Sequence, residues 1–215
     1  MEQTRTKPGA PAVAKHYTQP AAERQILRTM KALQANGFKV VVVEDLQQLY
    51  DAVIKLIPAG AEVFTGTSRT LEEAGLTEAL NNRPYKSVRA MFASYAGQPD
   101  KQVEMKRIGS ASDYAVGSVH AITEDGQVVI ASASGSQLPN YVYGARNFIW
   151  AVGSQKLVKD LDEAFDRIEN HTLQLEDKRM QKAHGVHSSI NKLLIYRKEP
   201  TGRGTIIIIR EAVGF

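Results

Sequence analysis

A strand, a helix and a second strand follow one another with almost no chain between them, and no other feature constrains the fold as strongly. Phe38-Lys39-Val40-Val41-Val42-Val43 is dense in β-branched residues and reads as a strand. Glu44 and Asp45 follow at once, and Asp45 has the short carboxylate that caps a helix start. Leu46, Leu49, Tyr50, Val53, Ile54 and Ile57 then recur every three to four residues, giving a helix with one apolar face that stops before Pro58-Ala59-Gly60. Ala61 to Thr65 is again a strand. With connections this short the helix carries the chain back to the end where the first strand began, so the second strand runs parallel to the first. The sequence therefore predicts an α/β protein with a parallel sheet covered by helices.

A second stretch adds antiparallel character. Glu124-Asp125-Gly126 lies between two runs of small and β-branched residues, and an Asp-Gly turn in that setting signals a hairpin. The run Val128 to Ala133 has no polar alternation, so it is expected to be buried on both faces. Elsewhere a helix is expected from Pro20 to Asn36-Gly37, a strand over Ser87 to Ala93, and a helix over Asp100 to Asp113. Phe148 to Gly153 reads as a buried strand, with helices about Asp160–Ile168 and Leu173–Ala183. Lys192–Tyr196 and Gly204–Ile209 are expected as the last two strands, joined by a hairpin-like or longer connection. The sheet is thus mixed but mainly parallel. Residues 1–19, with Pro8 and Pro11 and few large apolar groups, read as a flexible arm, and residues 20–215 as one domain.

Composition narrows the function classes. The apolar fraction of 43% supplies a sizeable core, but no apolar run approaches the roughly 18–20 residues that cross a bilayer. The first residues lack the apolar centre of a signal peptide, so the cytoplasm is the expected location. With no cysteine, the chain has no disulfide, no thiol nucleophile and no iron–sulfur cluster ligated by its own thiolates. The net charge is only +4 and its lysines and arginines are interleaved with acids, which gives no support to nucleic-acid binding. His184 and His187 flank a glycine in an expected loop, and His120 lies on a strand; no metal site and no cofactor is expected from these residues.

Two loops carry the chemistry. Gly66-Thr67-Ser68-Arg69-Thr70 follows a parallel strand and opens a helix, the edge at which α/β sheets bind ligands. Its hydroxyls and arginine suit a phosphate or carboxylate; Ser68 or Thr70 acting only as a helix cap explains the same residues. The buried run ending at Ala133 leads into Ser134-Gly135-Ser136-Gln137, small and polar residues that let a ligand approach the backbone. A solvated loop explains these equally.

Several motifs in order also carry a resemblance. Thr65-Gly66-Thr67-Ser68-Arg69-Thr70-Leu71-Glu72-Glu73-Ala74-Gly75, Gly117-Ser118-Val119-His120-Ala121-Ile122-Thr123-Glu124-Asp125-Gly126 and Ala133-Ser134-Gly135-Ser136-Gln137-Leu138-Pro139 are three of them. Trp150-Ala151-Val152-Gly153-Ser154-Gln155-Lys156-Leu157-Val158 and Val213-Gly214-Phe215 complete the set. Together they resemble the LUD-domain, or lactate-utilisation, family over roughly residues 20–215.

The resemblance implies a fold similar to the sugar-phosphate isomerase and CoA-transferase-like superfamily. It also implies a role in oxidising L-lactate to pyruvate beside iron–sulfur proteins and larger LUD proteins. Larger members carry cysteine clusters; this chain has none and is like the small, cluster-free LutC-type subunit. Two functions follow. One is an accessory subunit, with Tyr141, Tyr143 and the arm as contacts for a partner or a second copy. The other is a free-standing enzyme or binding protein for a phosphorylated, carboxylate or CoA-type ligand. There Gly66, Thr67, Ser68, Arg69 and Thr70 would face Gly135, Ser136 and Gln137, with Glu124 as the working carboxylate by analogy with related folds.

Overall fold

A computed structural model describes residues 15–95 and 97–215. Its first sheet contains β1 (Lys39–Val43), β2 (Glu62–Thr65), β3 (Lys86–Ser87), β4 (Tyr114–Gly117), β7 (Asn147–Gly153) and β10 (Gly204–Ile209). The spatial order is β1-β10-β7-β4-β2-β3, and each adjacent pair is parallel. The expected strand-helix-strand unit is present, but its two strands are not neighbours: β10, β7 and β4 lie between β1 and β2.

The Asp-Gly hairpin does not extend this sheet. β5 (Ala121–Thr123) and β6 (Val128–Ser132) pair antiparallel, and with β8 (Leu157–Val158) and β9 (Lys192–Tyr196) they form a separate sheet ordered β8-β5-β6-β9. The last two strands are therefore not a hairpin, since β9 belongs to the second sheet and β10 to the first.

The eight α-helices among the described residues are α1 (Glu23–Ala35), α2 (Leu46–Leu56), α3 (Arg69–Glu73), α4 (Leu76–Leu80), α5 (Val88–Ser94), α6 (Gln102–Ile108), α7 (Leu161–Arg167) and α8 (Leu173–His184). Side-chain alternation along the strands divides the interior into layers. Phe148, Trp150, Ile206 and Ile208 point to one side of the first sheet, where they meet Val128 and Ile130 of the second sheet and Ile26 and Leu33 of α1. Ile149, Ala151, Ile207 and Ile209 point to the other side and pack on Leu49 and Val53 of α2 and Leu71, Leu76 and Leu80 of α3 and α4. The far face of the second sheet, with Val129 and Ala131, packs on Ala164 of α7 and Ile168. β6 is buried throughout, as its unbroken apolar run predicts.

Three expectations change. The strand expected over Ser87 to Ala93 ends at Ser87, whose hydroxyl accepts from Ala90 N–H and caps α5 instead. The helix expected over 100–113 is only α6 after a single 3-10 turn, and none of its residues is buried. Of the arm over 1–19, residues 1–14 lie outside the described residues. Its end is docked, with Lys15–Thr18 a 3-10 turn and Tyr17 buried with its hydroxyl donating to Asp166 at 2.6 Å. An aromatic side chain with a satisfied hydroxyl gains by burial, which the arm's polar composition hides.

Candidate functional site

The carboxyl ends of β2, β4 and β6 and the segment after β7 converge on one cavity of about 410 Å³, closed on its far side by α8 and residues 188–190. This is the edge where open α/β sheets bind ligands.

Its floor depends on two glycines. A Cβ on Gly117 would stand 1.9 Å from the Tyr141 hydroxyl oxygen, and one on Gly66 would stand 3.0 Å from it. Tyr141 lies in a π-helical turn (Asn140–Gly144). That turn is anchored by the buried Asn140, whose side-chain oxygen accepts from the Ser112 N–H and hydroxyl, and by Arg203, which donates to Ala145 O. The missing Cβ atoms thus let the phenol reach the ends of both strands.

One wall is the loop before α3. Ser68 Oγ accepts from Leu71 N–H at 3.4 Å, so the capping expectation is met, while Ser68 also lines the cavity. Arg89 of α5 reaches across, donating to Thr65 O at 2.9 Å and to Thr67 Oγ1 at 2.6 Å. Arg69 instead pairs with Glu72 and Glu73 on its own helix at 2.7 and 3.3 Å.

Lys156 enters from the opposite side. Gly153 ends β7 where the chain Val213-Gly214 approaches; a Cβ there would stand 2.7 Å from Val213 N. Gln155 clamps the same segment, donating to Val213 O and accepting from Val213 N–H. The next residue, Lys156, is 2% exposed, and its Nζ donates to Thr70 Oγ1 and Ser118 Oγ, each at 3.0 Å. No carboxylate among the described residues forms an ion pair with it. Burial, reinforced by the nearby Arg167 guanidinium, pulls its pKa down to about 7.

His120 lines the same cavity, and its Nδ1 accepts from Ala131 N–H at 3.1 Å. Burial, then the charges of Lys156 and Arg167, hold its pKa near 3, so the ring is neutral. With Nδ1 accepting, the ring proton is on Nε2.

Four cationic side chains line the cavity, Arg69, Arg89, Lys156 and Arg179, against two acidic side chains, Glu72 and Glu176. Arg69 pairs with Glu72, and Arg179 with Glu176 at 2.6 Å; Arg89 and Lys156 are in no ion pair among the described residues, and their carboxylate neighbours, Glu72 and Glu73 respectively, act only at longer range.

The residues expected to bind ligand divide as follows. Gly66, Thr67, Ser68, Arg69, Ser136 and Gln137 line the cavity together. Thr70 stands one layer behind, as a partner of Lys156, and Gly135 turns toward the Lys192 side chain instead. Glu124 is not brought to the cavity: at the β5–β6 turn it pairs with Arg28 of α1. It is four residues along an extended chain from His120, roughly 13 Å away. Lys156, Arg89 and Ser118 were missed as site residues. Lys156 had one signal: it is the one charged residue between two buried apolar runs, Phe148 to Val152 and Leu157-Val158. Among the described residues, no group of three His, Cys, Asp or Glu side chains is placed to hold a metal ion, and no helix is long and apolar enough to cross a membrane.

The LUD-domain sequence profile matches residues 26–209. Among solved structures, the chain is similar to the crystal structure, at 1.70 Å resolution, of a DUF162 family protein from Deinococcus radiodurans, with 9% sequence identity and a TM-score of 0.56. The likeness covers 88% of this chain and 99% of that one and concerns the fold. No curated protein matches the sequence.

Proposed function

The chain belongs to the LUD-domain family, and we propose that it binds a small anionic compound, of phosphorylated, carboxylate or CoA type, in the cavity at the ends of β2 and β4. The observation that carries this reading is the Arg89 guanidinium, which is in no ion pair, facing the buried Lys156 amine among the hydroxyls of Thr67, Ser68 and Ser118. Hydroxyls and fixed cations with no carboxylate partner are what a phosphate or carboxylate replaces its water shell with. The volume suits a small ligand or one end of a larger one.

A thermal-shift panel of inorganic phosphate, sugar phosphates, acyl-CoAs, folates, nicotinamide and flavin cofactors, L-lactate and pyruvate tests it. A ligand at 100 times its Kd stabilises the fold by about 2.7 kcal/mol, which raises the Tm of a domain this size by roughly 5–10 °C. The shift should fall sharply in Arg89→Gln and in Thr67→Ala/Ser68→Ala. No shift with any member, or a shift indifferent to both variants, refutes the reading.

A second reading has its own observation. Tyr143 is 90% and Val142 50% exposed on the π-helical turn, an apolar tip of the kind a partner covers. We propose as this second reading a cytoplasmic accessory subunit in L-lactate oxidation beside iron–sulfur and larger LUD proteins, for which the tip offers only a place of contact. Tyr141, expected to join that contact, is buried under the cavity and is not available to a partner. Co-purification with such an iron–sulfur protein, lost in Tyr143→Ser, is the expected result; its absence removes this reading.

A further inference from the structure

We propose that Ser118 and Lys156 form a nucleophile–base pair, and that the cavity transfers the acyl group of an anionic oxygen ester or thioester to water. This rests on the cavity being the ligand site proposed above.

The geometry supplies the parts. Ser118 lines the cavity, and its Oγ is 3.0 Å from Lys156 Nζ, within the reach needed for direct proton transfer. Lys156 is fixed from the other side by Thr70. The nearest acceptor for the Thr70 hydroxyl proton is Val213 O at 3.3 Å, so its oxygen takes a proton from Nζ at 3.0 Å. A neutral amine has two N–H groups and one lone pair. With one N–H directed at Thr70, the lone pair is free for the Ser118 hydroxyl. A lysine held only as a strut would gain from a carboxylate, and here there is none in ion-pair contact. Its pKa near 7 leaves it largely unprotonated slightly above neutral pH, as a general base requires.

His120 completes the set. Two residues beyond Ser118, it lines the same cavity and presents a neutral ring protonated on Nε2. That proton is a donor for the carbonyl oxygen as it gains charge. Arg89, next to Thr67, serves the anionic group of the acyl donor.

The step balances without a redox partner. Ser118 Oγ bonds to the acyl carbon as its proton passes to Nζ. The bond from that carbon to the leaving oxygen or sulfur then breaks, and Nζ–H protonates the departing alkoxide or thiolate. Water next attacks the acyl-Ser118 ester and gives a proton to Nζ. Nζ returns that proton to Oγ as the carboxylic acid leaves.

The test treats the full chain with an alkyl fluorophosphonate and reads intact mass and peptide maps between pH 6 and 9. One adduct on Ser118 is expected. Its rate should rise about tenfold from pH 6 to pH 8 and then level, following the amine. Ser118→Ala should abolish labelling. Lys156→Met, which keeps the side-chain volume, and Lys156→Arg, which cannot accept a proton, should each slow it by about 100-fold. The wild-type pH profile needs no variant to fold. An unlabelled Ser118 in a protein that still gives a phosphate or carboxylate thermal shift overturns the pair and leaves the binding site standing. Labelling indifferent to pH, or equal in Lys156→Met, also overturns it. Failure of both labelling and ligand shift removes the inference and the site together.

Discussion

Lys156→Met should make the protein more stable at neutral and acid pH and lose that advantage near pH 9. Lysine ordinarily titrates near 10.5, and burial first, then Arg167, brings Lys156 to about 7. Between these values the unfolded chain holds a proton that the folded chain does not. Stability therefore rises with pH across the window and is lost as pH falls through it. The window is about 3.5 pH units wide, and at about 1.4 kcal/mol for each the buried ammonium costs the fold about 5 kcal/mol below pH 7. Methionine removes that cost but leaves the Thr70 and Ser118 hydroxyls each short of a partner, roughly 1 kcal/mol apiece. The net gain is about 3 kcal/mol at pH 6, and it shrinks by about 1.4 kcal/mol per pH unit above 7. Urea unfolding of both proteins at pH 6, 7.5 and 9 measures it. A variant less stable than wild type at pH 6, or a difference that does not vary with pH, refutes the reasoning.

Three other substitutions probe the frame. Gly117→Ala puts a methyl 1.9 Å from the Tyr141 hydroxyl oxygen and should cost about 1–3 kcal/mol in chemical denaturation, with part regained when Tyr141→Phe is added. Glu199 is 2% exposed; burial raises its pKa, but hydrogen bonds from Thr201 and Tyr196 outweigh this and lower it overall. Because its carboxylate also pairs with Arg203 at 3.3 Å, Glu199→Ala should cost about 3 kcal/mol by the same assay. Glu124→Gln should change stability by no more than about 0.5 kcal/mol and leave ligand thermal shifts intact, since Glu124 pairs with a largely exposed Arg28 away from the cavity. A loss of ligand shift in that variant would return Glu124 to the site.

What could be read in the sequence follows how local each signal is. The pattern from Phe38 to Thr65 specified strand, capped helix and strand within one short stretch, and Asp45 caps α2 as its position implies, accepting from Gln48 N–H at 2.8 Å. The loop Gly66–Arg69 was legible for the same reason, since a strand end and a helix start identify a ligand edge without knowledge of the neighbours. The separate second sheet was not, because β6 joins β9 across more than fifty residues and its apolar run fits either sheet. Nor was the helix at Val88–Ser94: a strand reading rests on Val88 and Phe92 alone, whereas Arg89, Ala90, Met91 and Ala93 are good helix formers once the Ser87 cap starts the turn. Lys156, Ser118 and Arg89 come from three distant segments, and only the folded chain shows that Arg69 is neutralised while Lys156 is not. Glu124 drew attention as an acidic residue in a conspicuous turn. Its partner Arg28 is ninety-six positions away and invisible to a local reading.

The cavity between the strand ends is the proposed ligand site of this protein. Amide proton–nitrogen correlation spectra, recorded during titration with inorganic phosphate and then L-lactate, test it most directly. Saturable shifts are expected at Gly66–Ser68, Ser118–His120, Ser132–Gln137 and Lys156, with the amides around Glu124 and Tyr143 unmoved. Shifts centred on Tyr143 or Glu124, or none at saturating concentrations of either anion, would contradict it.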